Sequence, residues 1–186
     1  MLDQLLAADT DMLLWIGTLP RPDWLTALMI GTTLAGTYGL VWLGIGVAVT
    51  ALRRDAGPLW RLALALLLAW SLVDMLVKPA VGRLRPFDLH AHLEVTPTLR
   101  PSDASFPSGH AASAAAGAYA LTRVVPAASA PLWVLALIVA GSRVYLGVHF
   151  PLDVAAGLPI GLACGVFATG RMRYPRVRTP GRGVRG

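Results

Sequence analysis

Pro107-Ser108-Gly109-His110-Ala111-Ala112-Ser113-Ala114-Ala115-Ala116-Gly117 is the stretch on which the fold turns. Proline suits the first turn of a helix, where its missing N–H would have no partner anyway, so the run predicts a helix beginning at Pro107. The small residues behind it let neighbouring backbones approach closely, as suits a helix in the middle of a membrane bundle. Working outward, apolar runs lie near 24–50, 59–77, 131–148 and 153–170, and the run from 108 to 125 makes a fifth. Each approaches or exceeds the roughly 20 helical residues that cross about 30 Å of hydrocarbon. The expected fold class is an all-α, polytopic transmembrane helix bundle with five spans. Leu2 to Leu19 is apolar too, but carries Asp3, Asp9 and Asp11 with Trp15 near its end, and reads as an interfacial or sixth helix.

Composition agrees with one membrane domain over residues 1–170. The chain has 186 residues, 55% hydrophobic and 14% charged, with 19 glycines and 14 prolines as punctuation. Acids stand where a secretory signal would carry a basic leading region. The net charge of +6 does not indicate nucleic acid, because the arginines gather between spans and at the end of the chain. Arg53, Arg54, Arg61 and Arg123 fall on one side if five spans alternate, together with a basic flexible tail, 171–186, holding Arg171, Arg173, Arg176, Arg178, Arg182 and Arg185. The positive-inside rule makes that side cytoplasmic in a multi-pass plasma-membrane protein. The acids of the 79–106 connection then lie outside, and that connection is long enough to act as a lid or binding surface. Cys164 is the only cysteine, which leaves no disulfide framework and no cysteine metal cluster.

Against this oily background, a few polar residues recur at the outer ends of the spans. Lys78 precedes Pro79, which predicts a helix exit there. Arg85 follows, and Arg143 lies near the outer part of the fourth span. Cations are expensive in such places, and three on one membrane face suit a phosphoryl group, with Arg supplying a planar fork and Lys a mobile point charge. Ser108 and Gly109 open a helix whose first N–H groups lack carbonyl partners, so an anion fits there. His110 can reach the same anion and donate a proton to a leaving oxygen. His149 and Asp153 bracket Pro151. An unbroken helix from Arg143 would turn His149 about 240° away, so both face one site only if the helix relaxes first, and Gly147 offers the break. Asp153 can then hold one imidazole nitrogen while the other keeps its lone pair.

Lys78-x6-Arg85-Pro86, Pro107-Ser108-Gly109-His110 and Ser142-Arg143-x5-His149-x3-Asp153 resemble the three-part signature of the type 2 phosphatidic acid phosphatase family. The surrounding helices resemble its membrane branch, which shares its site design with vanadium haloperoxidases and glucose-6-phosphatase. The resemblance implies that His149 is the nucleophile, forming a phosphohistidine, that Asp153 orients it, and that His110 is the general acid. It implies further that Lys78, Arg85, Ser108, Gly109 and Arg143 bind the phosphoryl oxygens, with no cofactor and no metal. Bacterial relatives often have six clear membrane helices; here five spans are read, with the first segment an interfacial or sixth helix. The expected substrate is a lipid phosphate or diphosphate, first a polyprenyl diphosphate such as the undecaprenyl carrier of cell-wall synthesis, with phosphatidic acid and phosphatidylglycerol phosphate as alternatives.

Other readings remain beside this one. A lipid-binding or transport protein could use the same basic cavity without covalent chemistry. Asp74, one turn before Lys78, is expected to pair with it. Asp88, His90, His92 and Glu94 alternate on a loop and read as solvated rather than metal-bound, and Gly157, Gly161 and Gly165 read as a packing face.

Overall fold

Period and composition dictate helices throughout, and the computed structural model, which describes residues 1–90, 93, 95 and 99–170, has no strand among them. His92, Glu94 and the basic tail 171–186 lie outside the described residues. The helices are α1 (Leu2–Thr18), α2 (Asp23–Gly36), α3 (Leu40–Arg53), α4 (Gly57–Trp70), α5 (Lys78–Val81), α6 (Pro86–Leu89), α7 (Gly109–Val124), α8 (Ser129–Tyr145) and α9 (Pro151–Thr169). They form a polytopic helical bundle. Four segments are long and apolar enough to cross a membrane: Asp23–Arg53, Gly57–Leu89, Pro126–Tyr145 and Pro151–Thr169.

The fifth expected span, α7, is 16 residues, or about 24 Å at 1.5 Å per residue. It is sheathed by protein, with Ala111, Ala112, Ala114, Ala116 and Ala118 fully buried. Its start differs from the expected one. Ser108, not a residue before Pro107, is the N-cap, and its Oγ accepts from the Ala111 N–H at 3.4 Å. A serine hydroxyl satisfies a helix-initial donor that proline cannot offer, so the helix begins one residue after the cap.

Glycine decides how α9 meets α7. A Cβ at Gly157 would stand 2.5 Å from the Ser108 carbonyl oxygen, and one at Gly161 would overlap the Ala112 carbonyl. Only a bare backbone fits there, and the approach lets the Ser108 N–H donate to the Asp153 carbonyl at 2.9 Å. The packing face thereby ties two site segments together.

Two helices depart from the expected outline. The run 24–50, expected as one span, lies within the single apolar segment Asp23–Arg53, but that segment is kinked at Tyr38 and Gly39, whose φ values are 51° and 73°. The break lets α2 lie along α8, with Thr33 Oγ1 and Ser142 Oγ 2.8 Å apart, while α3 packs on α4 and buries Trp42 against Gly117. Pro79 does not end its helix at Lys78. A π-helical turn over Ser71–Val77 widens the backbone just before the proline, and the helix runs on to Val81, where Gly82 turns left-handed at φ 63°. A π-turn changes the bonding register from which proline would otherwise remove a donor. As for α1, it spans 17 residues and packs against α8 and α9, burying Leu13 and Asp9 while Leu2, Leu5, Met12 and Trp15 stay exposed.

Candidate functional site

α2, α4, the start of α5, the start of α7 and the end of α8 surround a cavity of about 390 Å³, lined by Lys78, Arg85, Asp103, Gly109, His110, Arg143 and His149 on its polar side. Leu34, Tyr38, Leu66 and Trp70 line its apolar side. Each expected site residue lines this space or touches one that does.

Lys78 is placed by the last helical stretch before Gly82. Its Nζ donates to Asp74 Oδ1 at 2.6 Å, the expected i,i+4 pair, and also to Asp103 Oδ2. Arg85 stands at the start of α6, capped by Asp88, whose Oδ2 accepts the Arg85 N–H at 3.3 Å. The guanidinium is buried and heavily engaged. Nε donates to the Asp103 carbonyl and Nη2 to Asp103 Oδ1, both at 2.8 Å, while Nη1 donates to the Val148 carbonyl at 2.7 Å. Asp103 thus bridges two cations. Burial acts to raise its pKa, but Lys78 and Arg85 outweigh that and hold the carboxyl down to about 2, so it is ionised at neutral pH.

Arg143 ends α8 and is 3% exposed. Its Nη1 donates to Thr33 Oγ1 at 3.0 Å, but its buried Nε has no partner among the described residues. A buried N–H left unpaired costs about 1–3 kcal/mol, so this donor is poised for an acceptor from outside the protein. The N-terminus of α7 adds the Gly109 and His110 N–H groups, which have no carbonyl one turn earlier in the helix. His110 Nε2 lies 3.2 Å from the Thr33 carbonyl, which can only accept, so the proton sits on Nε2.

His149 follows the break anticipated at Gly147, whose φ is 68°. Its Nε2 is 3.2 Å from Arg85 Nη1 and its Nδ1 is 3.4 Å from Asp153 Oδ2. Because a guanidinium can only donate, Nε2 keeps its lone pair and the proton belongs on Nδ1, facing the carboxylate. Burial, foremost, pushes this imidazole well below the usual histidine range. The Asp153 hydrogen bond opposes that, and Arg85 and Arg143 add to it, leaving a neutral ring. Asp153 is itself tightly held. Its Oδ2 accepts from Ser105 Oγ at 2.5 Å and the Phe150 N–H at 2.8 Å, and its Oδ1 accepts from Arg83 Nη1 at 2.7 Å.

Asp103, Ser105, Arg83, Asp9 and Thr33 escaped the sequence reading. Arg83 lies inside the Lys78-x6-Arg85 spacing, where an extra cation two residues before Arg85 was a signal of a third carboxylate partner. The others become visible only when distant segments meet.

A sequence profile of the PAP2 superfamily matches residues 58–176, which include Lys78, Arg85, Ser108, Gly109, His110, Arg143, His149 and Asp153. The chain belongs to the PAP2 superfamily. This PAP2 protein is similar to the undecaprenyl-diphosphatase of Sulfolobus acidocaldarius, 34% identical over 129 residues, or 65% of this chain and 58% of that one. The alignment thus spans less than two thirds of that relative's length. It is also similar to the decaprenylphosphoryl-5-phosphoribose phosphatase of Mycobacterium tuberculosis, 35% identical over 78% of each chain. Among solved structures, the transmembrane PAP2-type phosphatidylglycerolphosphate phosphatase from Bacillus subtilis superposes with a TM-score of 0.67 at 28% identity, covering 91% of this chain and 90% of that one. These relatives place the PAP2 protein among phosphoric ester hydrolases. Its several membrane-length helices agree with the transmembrane Bacillus subtilis structure. Asp9 and Thr33 lie before residue 58, where the family match begins.

Proposed function

We propose that this PAP2 protein hydrolyses a polyprenyl diphosphate through a phosphohistidine on His149, at the extracytoplasmic face of the plasma membrane. The observation that carries the reading is the orientation of His149. Asp153 faces its Nδ1, and its lone-pair nitrogen points into a cavity with three cations and an unpartnered arginine N–H. Nε2 attacks phosphorus as the bond to the leaving oxygen breaks, and that oxygen takes a proton from His110. The Thr33 carbonyl accepts from His110 Nε2–H throughout, so His110 enters as the imidazolium: Nδ1–H gives its proton to the leaving oxygen and Nδ1 regains one from water in the second step. In the second step His110 takes a proton from water, which attacks phosphorus and frees His149 and inorganic phosphate. Lys78, Arg85, Arg143 and the Ser108–Gly109 helix start stabilise charge on the equatorial oxygens in both steps. No step calls for a metal or cofactor.

Substrate choice rests on the diphosphatase and decaprenyl-linked relatives and on the apolar wall of Leu34, Leu66 and Trp70, which suits a lipid chain leaving the cavity. The sidedness rests on charge. Arg53, Arg54 and Arg61 flank the α3–α4 turn and Arg123 ends α7, all at the bundle end away from Ser108, and the tail is assigned to the same cytoplasmic side.

The test is a panel of undecaprenyl diphosphate, phosphatidic acid and phosphatidylglycerol phosphate in one detergent without added metal. Undecaprenyl diphosphate is expected to lead in kcat/KM by about tenfold or more. A faster glycerophospholipid would replace the substrate assignment, and binding without phosphate release from any lipid would favour a carrier.

Asp103 supplies a second prediction. Its carboxylate occupies two of the cations that a phosphate would take, and nearly half of its side chain is exposed, so it acts as an internal competitor. Asp103→Asn is expected to tighten inhibition by vanadate about threefold, the worth of one partly exposed ion pair. Unchanged or weaker inhibition would show that Asp103 does not compete for the cradle.

A further inference from the structure

The carboxylate that faces His149 is itself neutralised. Arg83 Nη1 donates to Asp153 Oδ1 at 2.7 Å, and the same guanidinium lies 4.0 Å over the Phe150 ring. A cation so close would cancel the negative charge that should stabilise a protonated or phosphorylated imidazole. On its other side, however, Arg83 Nη2 donates to Asp9 Oδ2 at 2.7 Å, and the Asp9 side chain is wholly buried in α1. Asp9 Oδ1 also accepts the Leu152 N–H of α9 at 2.8 Å, which fixes it beside Asp153. With Asp9 present, the Asp9–Arg83–Asp153 chain carries one net negative charge next to His149. Without it, the chain carries none.

We propose that Asp9 is an electrostatic positioning residue for the reaction: it occupies the charge of Arg83, so that Asp153 remains negative toward His149. This deepens the phosphohistidine reading and rests on it. It also gives α1 a task, which is to deliver one carboxylate to the far side of Arg83. The other charged or titratable groups facing His149 are Arg85, Arg143 and His110, all of which oppose a positive imidazole when charged. On the cavity side Asp103 is already paired with Lys78 and Arg85, and Asp74 with Lys78, so the Asp9-completed chain is the negative counterweight on the Nδ1 side of His149.

The experiment uses the full-length protein in detergent as Asp9→Asn, Arg83→Gln, the double variant and His149→Ala. Asp9→Asn is expected to lower kcat about tenfold with KM held within about twofold, because a positioning partner acts on the reacting group and not on lipid binding. Arg83→Gln leaves two carboxylates beside the imidazole and should move the acid limb of kcat/KM up by about one pH unit. The double variant restores a single negative charge. It should return that limb toward its wild-type position and recover most of the kcat lost in Asp9→Asn.

A purely structural role predicts instead that the double loses at least as much as the two single variants combined, and that result overturns the proposal. So does wild-type kcat in Asp9→Asn. If Asp9→Asn does not purify as folded protein, comparing the acid limbs of the double and Arg83→Gln decides alone: return supports the proposal and no return overturns it. Turnover by His149→Ala would strike the nucleophile reading itself, whereas an inactive His149→Ala beside an unaffected Asp9→Asn strikes only the role of Asp9.

Discussion

His149→Ala is expected to lower phosphate release by at least about 10⁴-fold, because it removes the proposed covalent nucleophile and leaves only the charge-stabilising groups of the site. The expectation follows from where its two nitrogens point. Nδ1 faces Asp153 and Nε2 receives Arg85, so the ring is held with its lone pair on the cavity side. The measurement is single-turnover phosphate release, together with trapping of an acid-labile, base-stable phosphoryl adduct that the wild type forms and the variant does not. Vanadate and lipid binding should survive, since the three cations remain. The substitution also leaves Arg85 Nη1 and Asp153 with one partner fewer, so thermal unfolding in the same detergent separates lost chemistry from lost folding. Wild-type turnover in a folded variant would remove His149 from the reaction.

Arg143→Ala should be the next most damaging change, lowering kcat by about 10²–10³-fold, the range for removing one preorganised donor from a developing oxyanion. Arg143 is held by Thr33 at Nη1 and keeps Nε unpaired, a donor arrangement whose burial is compensated when an anion arrives. If Nε meets the phosphoryl oxygens most strongly in the transition state, kcat falls and KM changes little. A raised KM with unchanged kcat would assign Arg143 to ground-state binding instead. Arg143→Lys should recover only part of the loss, because a single ammonium cannot serve Thr33 and the anion with the planar spacing of a guanidinium.

Much of the site was legible along the chain because its chemistry is local in sequence. Lys78 and Arg85 share one connection, Ser108 to His110 form a helix start, and Arg143 and His149 straddle a break whose necessity follows from helical geometry and whose place Gly147 marks. The pairing of Asp74 with Lys78 was also visible, since four residues is one helical turn. What stayed hidden depends on segments far apart. Ser105 reaches Asp153 across 48 residues, Arg143 reaches Thr33 across 110, and Asp9 reaches Arg83 across 74. Nothing in the apolar pattern of Leu2–Thr18 distinguishes an aspartate facing a headgroup from one buried against an arginine. The break at Tyr38 was hidden for a similar reason, because the run around it is apolar on both sides.

The sequence by itself determined an all-helical membrane bundle and picked out a set of polar residues that meet at one cavity and are proposed to hold phosphate, since span length, proline and glycine placement, and short-range motif spacing are properties of the chain before it folds. Tertiary structure decided which carboxylates complete that set. Asp103 bridges Lys78 and Arg85, and Asp9 stands behind Arg83 and Asp153, because ion pairs form wherever packing brings charges together out of water, and packing is not written in local spacing.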